Sequence, residues 1–176
     1  IRSPFFDETY CLDRYDGILQ EALHQLKYQK RIVFAHGIAK AWNQIQANRL
    51  DQCRADYLLP VPLSDHKLLT RGFNQSWELA RRIACNQYVE KLPYALKRHH
   101  HEDHQAGKPL SARQEAIRQM FYIDPQYADR LADKTVIVFD DVMTTGATLN
   151  EIARILKALG VIHVINWVIL RTTRFT

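Results

Sequence analysis

Cysteine is scarce in this 176-residue chain, and long hydrophobic runs are missing. The cysteines Cys11, Cys53 and Cys85 are odd in number and far apart, which argues against a disulfide framework and for a reducing, cytoplasmic setting. No stretch of about 18 consecutive apolar residues occurs, so we predict no membrane span. We also expect no secretory signal at the start of the chain.

Neither sign of charge strongly dominates, because the chain has 24 Lys and Arg residues and 19 Asp and Glu residues. Its net charge is +5. This balance is compatible with an anionic ligand or nucleic acid but does not select one. With 47% hydrophobic residues the chain can bury one good core. We predict an N-terminal arm over residues 1–14, which lack periodicity, and one domain over residues 15–176.

The most informative stretch is Val136–Thr148, which reads VIVFDDVMTTGAT. The apolar run Val136–Phe139 is typical of a buried strand in a parallel sheet. Asp140 and Asp141 end that predicted strand, and Thr148 and Glu151 have the spacing of a capping box at the start of a helix. The pattern therefore predicts a strand, a tight loop and a helix N-terminus.

Such a loop directs backbone N–H groups and the positive end of a helix dipole at one point, which suits a phosphate monoester. Gly146 lets the backbone approach closely, and the threonine hydroxyls add donors. Adjacent carboxylates would instead accept hydrogen bonds from a vicinal diol, and could help to hold Mg²⁺ directly or through water. Phosphate and diol together indicate a ribose 5-phosphate.

The same stretch resembles the phosphoribosyl pyrophosphate (PRPP) loop of type I phosphoribosyltransferases. It is neither a Walker A loop nor a dinucleotide fingerprint, because the lysine of the one and the glycine spacing of the other are missing. The resemblance implies that Asp140 and Asp141 act on the ribose during catalysis. It also implies a loop that binds the 5-phosphate, formed by Met143, Thr144, Thr145, Gly146, Ala147 and Thr148.

A second stretch combines LPVPL at residues 59–63 with RGFNQ at residues 71–75, and it is similar to the ComF/GntX family of competence-associated phosphoribosyltransferase-like proteins. By position, this resemblance implies a pyrophosphate site formed by Val61, Pro62, Leu63, Ser64 and Arg71. Mg²⁺ would arrive with PRPP rather than bind a protein site of its own. We expect this chain to lack the zinc ribbon that commonly precedes the domain in this family.

The stretch from Arg98 to Pro109 contains four histidines, at positions 99, 100, 101 and 104, but little that could be buried. We do not interpret it as a metal site, because no regular element fixes the ligand geometry. The family resemblance instead implies a flexible loop that closes over the active site, with His101, Gln105 and Arg113 in or beside it.

Periodicity predicts helices after Asp16 and after Arg31, and Lys27 is interpreted as part of a solvated helix end. A single helix is predicted from Gly72 to about Asn86, and strands over Ala55–Val61, Leu92–Lys97 and Val161–Leu170. We predict an α/β protein with the type I phosphoribosyltransferase fold. It would have a mainly parallel, doubly wound sheet, helices on both faces, and a small hood built from the first helices and the C-terminal tail.

Three functions remain open from the sequence. The first is a Mg²⁺-dependent, PRPP-binding phosphoribosyltransferase of the competence type, serving DNA uptake in natural transformation. The second is a non-catalytic adaptor that binds single-stranded DNA beside a competence helicase, through a cluster of basic residues (Lys67, Arg71, Arg81, Arg82, Lys97 and Arg98). The third is a nucleobase salvage phosphoribosyltransferase. The acceptor stays open, as does a homo-oligomer.

Overall fold

The computed structural model describes residues 3–48, 53–99 and 120–172. Its strands are β1 (Glu8–Arg14), β2 (Tyr57–Pro60), β3 (Glu90–Lys91), β4 (Leu96–Arg98), β5 (Phe121–Ile123), β6 (Thr135–Met143) and β7 (His163–Arg171). The helices bounded within these residues are α1 (Gly17–Tyr28), α2 (Val33–Ile45), α3 (Asp65–Arg71), α4 (Gln75–Ala80), α5 (Pro125–Leu131) and α6 (Ala147–Ala158).

A five-stranded parallel sheet forms the centre, in the order β1-β7-β6-β2-β3. Helices α1, α2 and α4 cover one face, where Ile137 and Phe139 are buried. Helices α5 and α6 cover the other face, where Val136 and Val138 are buried. Because alternate residues of β6 enter two different cores, the strand reads as a continuous apolar run. The predicted doubly wound sheet with helices on both faces is confirmed.

The first strand is a correction to the predicted arm over residues 1–14. Glu8–Arg14 pairs in parallel with β7 and forms one edge of the sheet. Asp7 secures the start of this strand, because its backbone N–H donates to Val164 O over 2.9 Å and its Oδ2 accepts from Val164 N over 2.8 Å. The strand is half exposed and its partner lies at the far end of the chain, so local periodicity does not reveal it.

The region between β2 and β5 is more divided than the sequence suggests. Gly72 has φ of 83° and ends α3, so α4 is a separate helix that stops at Ala80 rather than near Asn86. Pro93 lies in a turn that separates β3 from β4, where we predicted one strand over Leu92–Lys97. Strand β4 instead pairs antiparallel with β5 in a separate two-stranded ribbon.

Strand β6, which carries the VIVFDDVM part of the motif, and the helix after it also differ from the prediction. Strand β6 continues through the acidic pair to Met143, paired with β7 along this extension. The predicted capping box is wrong, because Gly146 is the N-cap of α6 and Glu151 instead forms an ion pair with Arg154 at 2.7 Å. Helix α5 was not predicted from the sequence; Asp124 caps it by accepting from Gln126 N over 3.2 Å.

Helices α1 and α2 pack on the sheet through Leu23, Leu26 and Trp42 rather than standing apart as a hood. Only the C-terminal end of α1 reaches the carboxyl ends of the strands, where Lys27 and Tyr28 line a cleft. Within the described residues, no helix is both long and apolar enough to cross a membrane.

Candidate binding cleft at the carboxyl ends of the strands

The two sequence motifs meet at one cleft of about 430 Å³, where β2 ends opposite Phe139 of β6, just before the acidic pair. Eight of its 18 lining residues are predicted site residues, namely Val61, Pro62, Leu63, Arg71, Asp140, Asp141, Thr144 and Thr148. The carboxyl ends of neighbouring parallel strands lie at the same edge of a sheet, which brings together segments about 80 positions apart in the sequence. The predicted convergence is therefore present in the structure.

The predicted phosphate loop forms a small recess of about 40 Å³ beside the cleft, lined by Asp140 and by residues 142–149. Gly146 has φ of 78°, and a Cβ on this residue would lie 2.6 Å from Met143 Cε. The positive φ therefore favours glycine at this position, whereas the added Cβ would meet only the flexible end of the Met143 side chain. Helix α6 starts directly after Gly146, and the first N–H groups of a helix have no partner within it. These features suit an anion.

The two acidic side chains occupy different environments. Asp140 accepts a hydrogen bond from Ser76 Oγ over 3.2 Å and another from Asp141 N over 2.9 Å, both at Oδ1. Asp141 is 5% exposed, forms an ion pair with Lys27 through Oδ2, and accepts from Gln75 Nε2 over 3.3 Å through Oδ1. Asp140 also lines the phosphate recess.

These surroundings move the pKa values of the two carboxyls in opposite directions. Burial, followed by the negative charge of Asp141, raises the pKa of Asp140 well above its usual range. Burial also acts to raise the pKa of Asp141, but the charge and hydrogen bond of Lys27 outweigh it and lower that pKa. The pair therefore carries less negative charge than two independent aspartates would.

Lys27 is the clearest correction to the sequence interpretation. Instead of forming a solvated helix end, its side chain is only 15% exposed and is directed at Asp141. One sequence signal for this contact was available, because Lys27 directly follows Leu26, a residue of the apolar stripe of α1 that is buried in the structure. Its charge alone, in a run of basic residues, is typical of an exposed surface and concealed the contact.

Residues of the RGFNQ stretch form hydrogen bonds that position other segments of the cleft. Asn74 caps α4 by accepting from Ser76 N over 2.9 Å, and its Nδ2 donates to Val61 O over 3.1 Å. Gln75 accepts from Arg71 Nη1 over 2.7 Å and donates to Asp141. The guanidinium carbon of Arg71 lies 5.4 Å from the ring centroid of Tyr28, a cation–π contact. The roles of Gln75 and Ser76 toward the acidic pair were not predicted.

The other predicted site residues have varied positions. Ser64 Oγ caps α3 by accepting from Lys67 N over 3.4 Å, and Met143 is the buried last residue of β6. His101, Gln105 and Arg113, predicted for a flexible loop, lie outside the described residues. In the part of the chain that the structure describes, no group of three or more His, Cys, Asp or Glu side chains could hold a metal ion.

The charges around the cleft favour an anionic ligand that also carries hydroxyl groups. Four cationic side chains (Lys27, Lys67, Arg71 and Arg98) and the two aspartates are among its lining residues. One cation is already paired with Asp141, and the others surround the exit of β2 and the ribbon of β4 and β5. Basic groups, together with carboxylates beside an anion recess, match a ligand that carries both anionic and hydroxyl groups.

Comparison with known proteins identifies the family of this chain. A family model described as "Phosphoribosyl transferase domain" matches residues 68–173. The chain is 26% identical to competence protein F of Haemophilus influenzae over 94% of this chain and 73% of that protein. It is 27% identical to the DNA utilization protein YhgH of Escherichia coli K12 over 97% of this chain and 75% of that protein. The resemblance to competence-associated proteins is thereby confirmed.

A solved structure, an allosteric regulatory enzyme of purine biosynthesis, superposes with a TM-score of 0.45 at 18% identity. The superposition covers 76% of this chain and 25% of the other.

Proposed function

Because the chain belongs to the phosphoribosyl transferase domain family, we propose that its cleft binds PRPP and uses it as a phosphoribosyl donor. The 5-phosphate lies at residues 143–148, the ribose hydroxyls at the acidic pair, and the pyrophosphate at residues 61–64 and Arg71. The observation that carries this proposal is the convergence of the two motifs on one cationic cleft. Neither motif alone offers sites for both phosphate groups.

The chemistry proposed is displacement of pyrophosphate at C1 of the ribose by an acceptor, through a transition state with positive charge on the sugar. A nearby carboxylate stabilises such charge electrostatically, and the cleft holds the donor in place. Mg²⁺ supplies charge neutralisation at the pyrophosphate. It keeps several waters and needs only one or two carboxylates beside the substrate phosphates, so the donor set around Asp140 is compatible with it.

The test is calorimetric titration of PRPP with Mg²⁺ into the wild type and into an Asp140→Asn variant. We expect saturable binding by the wild type that weakens at least tenfold in the variant, since hydrogen bonds to charged groups contribute about 1.5–3 kcal/mol. The acceptor is then sought by adding nucleobases one at a time and measuring pyrophosphate release. Absence of PRPP binding by a folded wild type would refute the proposal.

The biological setting proposed is DNA uptake or use in the cytoplasm, alongside a helicase. It is supported by relatives named for competence and for DNA utilization and, for the compartment, by the free thiols of Cys11, Cys53 and Cys85. The same names do not favour nucleobase salvage. Steady turnover with a common nucleobase would reverse that preference.

A second candidate function, binding of single-stranded DNA, is supported by the ribbon of β4 and β5 together with the turn that precedes β4. Tyr94, which is 66% exposed, lies beside Lys97, with 5.7 Å between its ring centroid and Nζ. Tyr122, 37% exposed, stacks with His99 at a centroid distance of 4.4 Å. Exposed rings beside cations are what sequence-tolerant base stacking requires.

The basic cluster predicted from the sequence is divided by the fold. Arg81 and Arg82 both form ion pairs with Glu78, at 3.0 Å and 2.5 Å, so part of their charge is neutralised.

The matched test measures the affinity of a labelled oligothymidylate for Tyr94→Ala/Tyr122→Ala and for Arg81→Ala/Arg82→Ala at two salt concentrations. The ribbon variant should lose about tenfold or more, as stacking contributes about 1–3 kcal/mol per base. Equal binding by the ribbon variant and wild type would refute this site.

A further inference from the structure

The acidic pair of the PRPP loop is held in an asymmetric arrangement. Both oxygens of Asp141 are engaged by protein groups, Oδ2 by Lys27 and Oδ1 by Gln75. Asp140 borders the phosphate recess and has contacts on one oxygen from Ser76 and from a backbone N–H. Two adjacent carboxylates that look equivalent in the sequence are therefore not equivalent in the fold.

The contacts of Asp141 form part of a closed circuit of side chains. Lys27 pairs with Asp141, which accepts from Gln75; Gln75 accepts from Arg71, and Arg71 lies over the ring of Tyr28, the residue that follows Lys27. The circuit joins α1, α3, α4 and β6. A side chain held at both ends of such a circuit can move only if its neighbours also move, so Asp141 is fixed in place.

Resting on the proposed function, we propose that Lys27 is a positioning residue that divides the acidic pair. It holds Asp141 away from the ligand, so that Asp140 alone receives the ribose hydroxyl groups. The physical advantage concerns charge: two free carboxylates would repel the phosphates of the donor, whereas the Lys27–Asp141 pair carries no net charge and leaves one acceptor. The same circuit fixes Arg71 at the predicted pyrophosphate site.

The test compares ribose 5-phosphate with 2-deoxyribose 5-phosphate, which differ only in the 2-hydroxyl. The wild type should bind the ribose compound about tenfold more tightly, the effect expected of one hydrogen bond to a charged group. Asp140→Asn should lose this preference. The double variant Lys27→Met/Asp141→Asn, which removes the ion pair without leaving an unpaired charge, should keep it. Loss of the preference in the double variant and its retention in Asp140→Asn would overturn the division of roles.

Single variants separate positioning from a purely structural role. Lys27→Met leaves Asp141 as an unpaired buried charge, so binding of both sugar phosphates should weaken, and adding Asp141→Asn should restore it. Lys27→Arg keeps the charge and should retain most of the affinity. Thermal unfolding without ligand should follow the same order, with the midpoint lowered in Lys27→Met and recovered in the double variant. Additive effects of the two substitutions, in binding and in unfolding, would overturn the inference.

The outcomes also distinguish failure of this inference from failure of the proposed function. If the folded wild type binds neither ribose 5-phosphate nor PRPP with Mg²⁺, both proposals are refuted. If PRPP binds but the 2-hydroxyl is sensed through Asp141, only the division of roles is refuted.

Discussion

The two ends of the sheet each have a cavity, and the larger one is at the end without the motifs. A cavity of about 500 Å³ lies at the amino ends of β1, β6 and β7, where Glu8, Thr135 and His163 line it together with Trp42 and Trp167. The cleft at the carboxyl ends measures about 430 Å³. Volume alone would select the end without the motifs. The two ends of the sheet differ in what their charged side chains contact.

Charged groups at the amino end serve mainly to hold strands together. His163 Nε2 lies 2.7 Å from Glu8 Oε1, and Lys157 Nζ lies 2.7 Å from Asp7 Oδ2; both contacts connect the start of β1 with the region around β7. At the carboxyl end, the circuit from Lys27 to Arg71 instead borders an open cleft. Ion pairs that hold the edge strand β1 on the sheet indicate a structural role. Ion pairs and hydrogen bonds that fix side chains beside a cleft indicate a binding role.

The largest expected difference between the ends concerns removal of one partner from an ion pair. Asp141→Ala leaves Lys27 unpaired where the side chain is only 15% exposed, so the free energy of unfolding should fall by about 3–5 kcal/mol. Chemical denaturation measures this loss. The matched control is Glu8→Ala at the amino end, where the partners are 43% and 36% exposed and the loss should stay below about 1 kcal/mol. Equal losses would contradict the comparison.

The next effect concerns Gly146 in the phosphate loop. Gly146→Val imposes a side chain at φ of 78° and a contact with Met143 Cε, so PRPP binding should weaken about 100-fold or more as the loop is displaced. Gly160→Val is the control, because Gly160 has φ of 89° but its added Cβ would only contact Ala132 at 3.8 Å, away from the cleft. The control should lose stability and keep its PRPP affinity by calorimetry. A Gly146→Val protein that binds normally would exclude this loop as the phosphate site.

A smaller effect is expected at Asn74, which caps α4 and holds the exit of β2. Asn74→Ala should lower the free energy of unfolding by about 1–2 kcal/mol and weaken PRPP binding several-fold, because the residues after Val61 lose their support. Asn43 is a matched control, since its Oδ1 accepts from Ala84 N over 2.8 Å in another loop. Asn43→Ala should lose similar stability without loss of affinity. If both variants lose affinity equally, Asn74 has no special place in the site.

The smallest effect is a pH dependence at the amino end. Hydrogen bonds from Tyr10 and His163 lower the pKa of Glu8 in the folded protein. A depressed carboxyl pKa stabilises the fold above the unfolded pKa, and this contribution disappears as the pH falls through the folded value. Glu8→Gln should therefore be less stable than the wild type at pH 7 and nearly equal to it at pH 3, measured by denaturation at both pH values. A difference that grows toward pH 3 would contradict this assignment.

Some features were predictable because their causes are local. The apolar run Val136–Phe139 predicted a buried strand, and Gly146 predicted a close backbone approach; both follow from short-range sterics and periodicity. Gly160, with φ of 89°, likewise follows a local rule, because glycine is the usual left-handed residue after the end of a helix such as α6. Element bounds between β2 and β5 were less accurate: the helix predicted from Gly72 to about Asn86 spans only Gln75–Ala80, and Pro93 lies in the turn between β3 and β4.

The sequence by itself determined the α/β class, the parallel sheet and the two motifs at the carboxyl ends of β2 and β6, since strand ends and tight loops depend on neighbouring residues. Only the tertiary structure decided that Glu8–Arg14 pairs with β7, that Lys27 is directed inward, and that Asp140 and Asp141 differ. Each of these depends on a contact between residues more than 60 positions apart, which no local pattern encodes. An ion pair is specified by where the chain brings two charges together, and that is set by the packing of α1 and α4 against the sheet.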